Sequence, residues 1–313
     1  MTTDNFSLRR LGKADLTVSS ICVGGSPLGG MPLLYGHDVE AETAIELVEA
    51  AFDSPFRFLD TSNGYSEGES ERRIGEAIRR RGGLPDNYVL ATKVDPDFAT
   101  GDYSGERVRA SAQESLERLG QEKFQLLHLH DPEWISFEEA MAPGGPVETL
   151  VALKNEGIAD NIGVAGGLVS EITKYVETGL FDVLLTHNRY TLLSREAEAL
   201  IDAAVARGMG VINAAPYGGG MLVKGPEVTQ KYAYMPAQED LLTRAHAIND
   251  VCKRFGVPLA AAALQFSIRD PRIHSTVVGM SQASRIQQTV DYLSVDIPDE
   301  LWDELEQHRP AGE

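Results

Sequence analysis

Cysteine is almost missing from this chain of 313 residues, and its two copies, Cys22 and Cys252, cannot build a disulfide framework. Cys22 lies in an apolar run and reads as a small core residue. Basic side chains are scarce as well: 28 Lys and Arg stand against 47 Asp and Glu, a formal net charge of −19. That balance argues against a nucleic-acid or anionic-membrane partner, since both need a basic face. Its surface is expected to be soluble and self-repelling, and an anionic cofactor would need a few local Arg, Lys or backbone N–H groups. No apolar run approaches the roughly 20 residues of a membrane span. The opening Met1-Thr2-Thr3-Asp4-Asn5-Phe6-Ser7 lacks the basic-then-apolar pattern of a signal peptide. A reducing, cytoplasmic setting is therefore expected. No oligomer interface is legible, so a monomer or weak homo-oligomer is expected too. Finally, no Gly-x-Gly-x-x-Gly opens the first helix, which removes the usual fingerprint of an open dinucleotide-binding sheet.

What is present is an alternation of apolar runs and amphipathic stretches, in a chain whose 42% hydrophobic content suits a sizeable core. Strands are expected at Ser20–Val23, Phe56–Leu59, Tyr88–Lys93, Phe124–His130, Asn161–Val164, Val183–His187, Gly210–Ala214 and Ser275–Val278. Helices are expected between them at Val39–Phe52, Glu69–Arg80, Gly105–Leu119, Val147–Glu156, Leu168–Glu177, Ser194–Ala206 and Gln238–Phe255, and after them at Ser281–Tyr292. Eight strands each followed by a helix favour a closed α/β barrel, (β/α)8, over an open sheet. No linker divides residues 1–313, which read as one barrel domain. Two pieces fall outside the repeat: a hairpin over Phe6–Val18 that could plug the barrel bottom, and an extra C-terminal helix at Pro298–His308.

In such a barrel, chemistry gathers where strands end on the C-terminal face. Asp60 ends the second strand in Phe58-Leu59-Asp60-Thr61-Ser62-Asn63-Gly64-Tyr65, with Tyr65 in the following loop; Lys93 ends the third strand and His130 the fourth. A phenol of pKa about 10 is a poor proton carrier near neutrality unless a cation lowers it. Lys93 is expected to supply that cation, Asp60 its counter-charge, and His130 a hydrogen bond to a substrate oxygen. Taken singly, each has an ordinary use: Asp60 as a cap, Tyr65 as a packed loop aromatic, His130 as a core histidine. Lys93 is harder to explain away, because lysine is rarely buried without a partner. Their conjunction on three successive strand ends points to catalysis.

The block Asp60 to Tyr65, then Ser70-Glu71-Arg72-Arg73-Ile74-Gly75, then Lys93 and His130, resembles the aldo-keto reductase family over nearly the whole chain. The resemblance implies a barrel without a Rossmann domain, a nicotinamide cofactor (NADP or NAD), and carbonyl–alcohol interconversion on a small carbonyl or sugar. It implies Tyr65 as proton donor or acceptor, Lys93 and Asp60 as its tuners, and His130 as the group that orients the carbonyl. It also implies that Gly279-Met280-Ser281-Gln282-Ala283-Ser284-Arg285 holds the adenosine half of the cofactor at a helix start suited to phosphate. Arg285 matches an arginine used for the 2′-phosphate, and Gln288 and Thr289 fall near the adenine. Gly25, Ser26, Asp60, His187, Ala214 and Tyr217 complete the implied cofactor contacts.

The chain departs from the family at several points. Gly279 stands where a lysine is common, Ala165-Gly166 where a Ser-Asn pair grips the carboxamide, and Ala214 where an aromatic stacks on the nicotinamide. With His187-Asn188-Arg189-Tyr190 and the run Val257–Phe266, these features are similar to the aldose 1-dehydrogenase branch, which oxidises a ring hemiacetal to a lactone; its members act on D-threo-aldoses, L-fucose, L-galactose or pyridoxal. Trp134 and Tyr217 are the candidate substrate contacts. The alternatives are reduction of small aldehydes or ketones, pyridoxal 4-dehydrogenation, and a cofactor-holding regulatory module. A further rival is a zinc hydrolase built on the alternating His128 and His130 with Lys93, His187 and Asp60; otherwise no metal is expected.

Overall fold

The computed structural model describes residues 5–32, 36 and 38–310. Residues 1–4 and 311–313, the outermost parts of the expected barrel domain, lie outside the described residues. A hairpin of β1 (Leu8–Arg10) and β2 (Thr17–Ser19) comes first. The barrel strands follow as β3 (Ile21–Gly24), β4 (Phe58–Asp60), β5 (Val89–Val94), β6 (Phe124–His130), β7 (Ala159–Gly166), β8 (Val183–His187) and β9 (Gly210–Ala214). After a two-residue-per-strand hairpin, β10 (Lys231–Tyr232) with β11 (Met235–Pro236), comes the closing strand β12 (Ser275–Gly279). β12 pairs in parallel with both β3 and β9, so the eight strands close in chain order, as expected.

Strands such as Val-Leu-Ala-Thr-Lys-Val are buried on both faces, which is why they read as nearly continuous apolar runs. One face fills the barrel interior with Cys22, Phe58, Ala91, Leu126, Leu185, Ile212 and Val277, and the hairpin's Leu11 and Val18 join that cluster. Lys13 N–H donates to Gly208 O (2.7 Å), fastening the plug below the strands. The other face packs against helices. Helix Gly105–Leu119 starts where Ser104 accepts a bond from Arg107 N–H. Helix Glu69–Arg81 has acids in its first turn and arginines in its last, matching the helix dipole.

Two expectations change. Helix Ser194–Ala206 begins only at Glu198, because Thr191 and Ser194 bond each other's main chain in a tight bridge first. The run Val257–Phe266 contains a full helix, Leu259–Ile268, which packs on the barrel next to β12. Its residues are buried almost all round, so no amphipathic period announced it. Helix Glu239–Phe255 therefore stands outside the repeat and packs with the C-terminal helix Asp299–Glu306.

Candidate active site

The C-terminal ends of β4, β5 and β6 meet through parallel register, with Asp60 opposite Ala91 and Lys93 opposite His128. Lys93 is 1% exposed, a state a lysine tolerates only with partners. Its ammonium donates to Asp60 Oδ1 (2.6 Å), Thr61 O (2.6 Å) and Tyr65 Oη (3.3 Å), and lies 4.8 Å from the centre of the Tyr65 ring. Burial raises the Asp60 carboxyl above its ordinary value, with Lys93 pulling against it. The tuning expected of Lys93 on the phenol does not prevail. Burial, then the charges of Asp60, Asp131 and Asp95, push Tyr65 well above an ordinary phenol. The protein surroundings therefore hold Tyr65 as a protonated donor.

His130 sits at the same mouth, its ring edge-on to Tyr65 with centroids 5.6 Å apart. Its Nδ1 is 2.6 Å from Asp95 Oδ1 and 3.0 Å from Ser62 Oγ. Ser62 donates to Asp95 Oδ2, which also accepts the Gly64 N–H (2.7 Å). Burial disfavours a charged ring, but Asp95 and Asp131 outweigh it and His130 is raised above its ordinary value. Asp95 is lowered despite its own burial, through His130, Ser62 and Gly64. Sequence reasoning missed Asp95. The available signal was its place two residues beyond Lys93, where alternation turns both toward one side.

The loop carrying Tyr65 is braced from behind. Asn63 Nδ2 donates to Ser111 O (3.1 Å) and Glu114 Oε2 (3.0 Å), Arg107 reaches Asn63 Oδ1 (3.2 Å), and Arg118 reaches Asn63 O (3.2 Å). Glu71, fully buried, accepts from Thr92 (2.6 Å) and Arg118 (3.2 Å). Ser70 donates to Gly25 O (2.8 Å). The Ser70-Glu71 pair is thus a strut between the Tyr65 loop, the first strand exit and helix Gly105–Leu119.

The expected cofactor residues lie around the rest of the mouth. Gly25 and Ser26 follow β3, His187, Ala214 and Gly279 end β8, β9 and β12, and Ser281 follows β12. Tyr217 packs against the same core cluster as Val290 and Tyr292, and Arg285 acts on its phenol, which places it on the Arg285 side of the mouth. Arg285 is exposed and bonds Gln288 Oε1 (2.5 Å), whereas Thr289 is buried with its hydroxyl on Arg285 O (2.8 Å). The set fits a nicotinamide cofactor on two observations: Arg285 offers a cation at a helix start, and Asn188 Oδ1 is buried beside His187 without a hydrogen-bond partner among the described residues. Asn188 was not among the expected contacts.

Trp134 stands exposed at the rim, edge-on to the equally exposed Phe98 at 5.8 Å. Asp131, bent into a left-handed conformation (φ 39°), lies between His130 Nε2 (3.8 Å) and His187 Nε2 (3.6 Å), which hold its carboxyl at about 2 against burial. Among the described residues the zinc alternative finds no ligand set: His128 is fully buried over Gly163 with no hydrogen-bond partner for either ring nitrogen, Lys93 is committed to its ion pair, and no group of three His, Cys, Asp or Glu is arranged to hold a metal.

The sequence profile described as "Aldo/keto reductase family" matches residues 20–310. The chain is 29% identical to a D-threo-aldose 1-dehydrogenase of Pseudomonas sp over 95% of each chain. It is 29% identical to a pyridoxal 4-dehydrogenase of Microbacterium luteolum, covering 95% of this chain and 96% of the relative. With an L-galactose dehydrogenase of Arabidopsis thaliana it shares 33% identity over 90% of this chain and 86% of that one. The fold matches the holo form of an aldo-keto reductase from Bacillus halodurans with a TM-score of 0.78 at 20% identity, covering 98% and 97% of the two chains. The buried Asp60–Lys93–Tyr65 cluster at the mouth of a closed eight-stranded barrel thus belongs to an oxidoreductase that uses NAD or NADP, and the chain is a member of the aldo/keto reductase family.

Proposed function

We propose that this enzyme oxidises an aldose at C1, converting the ring hemiacetal to a lactone, with Tyr65 as the group that exchanges a proton with the reacting oxygen. The observation that carries the reading is the contact of Lys93 Nζ with both Asp60 and Tyr65 Oη, which singles out one phenol at the mouth of the barrel. The nicotinamide, when bound, supplies the hydride acceptor. Tyr65 and His130 bracket the position of the substrate oxygen, and Asp60 holds the Lys93 side chain beside the phenol. When Tyr65 gives up its proton, charge appears on its oxygen next to that ammonium, so the protein stabilises the phenolate that takes the hydroxyl proton in oxidation and is left behind in reduction. Gly25, Ser26, His187, Asn188, Ala214, Tyr217, Gly279, Ser281, Arg285 and Gln288 are assigned to the cofactor, and Trp134 with Phe98 to one wall of the sugar site. Two of the relatives described above are named for aldose or galactose oxidation, which supports a sugar over a simple aldehyde.

The test is the rise in reduced-nicotinamide absorbance with D-threo-aldoses, L-galactose, pyridoxal and simple aldehydes, each with NAD and with NADP. Tyr65→Phe is expected to lower turnover by about 10²–10⁴-fold while cofactor affinity stays within a few-fold. A fully active Tyr65→Phe enzyme refutes the proton-transfer role. Turnover of pyridoxal or simple aldehydes without any aldose overturns the substrate assignment and leaves the family chemistry standing.

A further inference from the structure

One buried acid at the mouth is left without a part in that scheme. Asp95 is 1% exposed, at the exit of β5, and every contact it makes is directed. Its Oδ1 faces His130 Nδ1 at 2.6 Å, and its Oδ2 takes the Ser62 hydroxyl and the Gly64 N–H. Its own N–H donates to Ser111 Oγ (3.1 Å). A carboxylate held at both oxygens cannot turn away, and the imidazole in front of it cannot flip without losing a charge-assisted bond. The backbone of His130 is fixed in the same way: Tyr103 Oη donates to His130 O (2.6 Å) and receives His130 N–H (3.1 Å).

We propose that Asp95 is a positioning residue acting through His130: it commits Nδ1–H to the protein, turns Nε2 toward the substrate oxygen and, as a carboxylate 2.6 Å from the ring, favours the form that donates from Nε2. The inference rests on the assignment of this cleft to carbonyl–alcohol chemistry. A neutral imidazole with its proton on Nδ1 presents only a lone pair to the cleft, whereas the imidazolium presents a donor. The reacting oxygen is a carbonyl or alkoxide in the reductive direction, so only the charged ring assists it there. In the oxidative direction the neutral ring accepts a bond from the substrate hydroxyl, so the two directions are expected to prefer opposite protonation states of one residue.

The groups facing His130 decide which state prevails. Asp95 comes from β5 and Asp131 from its own strand exit, with His187 of β8 on the far side of Asp131. Lys93 opposes the charge from β5, His128 lies two residues down the same strand, and Tyr65 is neutral. Two carboxylates against one ammonium that is itself paired with Asp60 favour the charged ring over the cost of burial. The neighbours that move His130 upward are thus the same groups that orient it. Phenol and imidazolium then act as two donors on one oxygen, held on separate strand exits.

Nuclear magnetic resonance titration of the imidazole nitrogens in the full-length protein, with the His130 signals assigned from a His130→Gln variant, reads this without any substrate. In the wild type, His130 is expected to titrate above an ordinary histidine, and its neutral form to carry the proton on Nδ1. In Asp95→Asn the titration is expected to fall by about one unit or more, and Asp95→Glu to restore part of it. The alkaline limb of kcat/KM for reduction should move to lower pH by the same amount in Asp95→Asn, with cofactor affinity unchanged. A wild-type His130 that titrates below the ordinary value, or whose neutral form is protonated on Nε2, overturns the proposal even if the variant fails to fold. A folded Asp95→Asn with an unmoved titration reduces Asp95 to a structural brace and also overturns it. If the titrations behave as expected but no aldose is turned over, the substrate assignment falls and the dyad stands.

Discussion

At the scale of single residues, Lys93 illustrates how a charge inside a barrel is made tolerable. It is surrounded by one carboxylate, one carbonyl and one phenol, and Asp60 in turn has a second oxygen, Oδ2, without a partner among the described residues. Removing the ammonium leaves a buried carboxylate uncompensated, whereas removing both charges together leaves only neutral groups. Lys93→Met is therefore expected to lose about 3–5 kcal/mol of stability, and Asp60→Asn with Lys93→Met together to recover most of it. Neither enzyme is expected to turn over substrate at more than a small fraction of the wild-type rate. Urea unfolding of the single and double variants, with steady-state rates, checks both halves. Recovery of activity along with stability would show that the pair is structural. The pair was legible in the sequence because a lysine at the end of an apolar strand demands a partner. Asp95 was legible only as a residue on the Lys93 side of the strand exit; its role was not, since an acid just past a strand end looks like any solvated loop residue until Ser62, Gly64 and His130 are folded around it.

At the scale of elements, the loop that carries Tyr65 depends on how closely two outer helices approach. A Cβ on Gly75 of helix Glu69–Arg81 would lie 1.9 Å from Arg118 O on helix Gly105–Leu119, an atom of main chain that cannot step aside alone. Two effects oppose each other in Gly75→Ala. Alanine favours the helix by about 1 kcal/mol, but forcing the helices apart costs typically 1–3 kcal/mol. Because the obstacle is backbone, the second effect should win, and a net loss of up to about 2 kcal/mol is expected by urea unfolding. The same displacement moves the Arg118 side chain that holds Asn63 O and Glu71, so kcat should fall more than cofactor affinity. A variant as stable and active as the wild type would show that the helices slide without cost. Element positions were mostly legible, since β6, β8, β9 and helix Gly105–Leu119 fall where period and capping place them. Helix Leu259–Ile268 was hidden for the opposite reason, being apolar on every side and thus without a periodic signal. The late start at Glu198 reflects side-chain and main-chain bonds of Thr191 and Ser194 that local propensity does not encode.

At the scale of the whole molecule, the charge balance sets how stability responds to salt. With 28 Lys and Arg against 47 Asp and Glu, even complete one-to-one pairing leaves 47 − 28 = 19 carboxylates without a cation. The surface pairs that do form, such as Arg80–Glu42 and Arg109–Glu156, are exposed, contribute little and are screened by salt as well. The central pair Lys93–Asp60 is buried and hardly screened. Salt therefore weakens two opposing surface effects, and the excess of acids makes repulsion the larger. Raising ionic strength from about 0.01 to 0.15 M shortens the screening length from about 30 to 8 Å, so the melting temperature at pH 7 is expected to rise. Near pH 4.8, where the net charge vanishes, that gain should disappear and the loss of surface pairing should show instead. Calorimetric melting at the two pH values across a sodium chloride series measures both slopes. A melting temperature that falls with salt at pH 7 would mean that the surface ion pairs, and not the unpaired carboxylates, dominate the long-range electrostatics of this barrel.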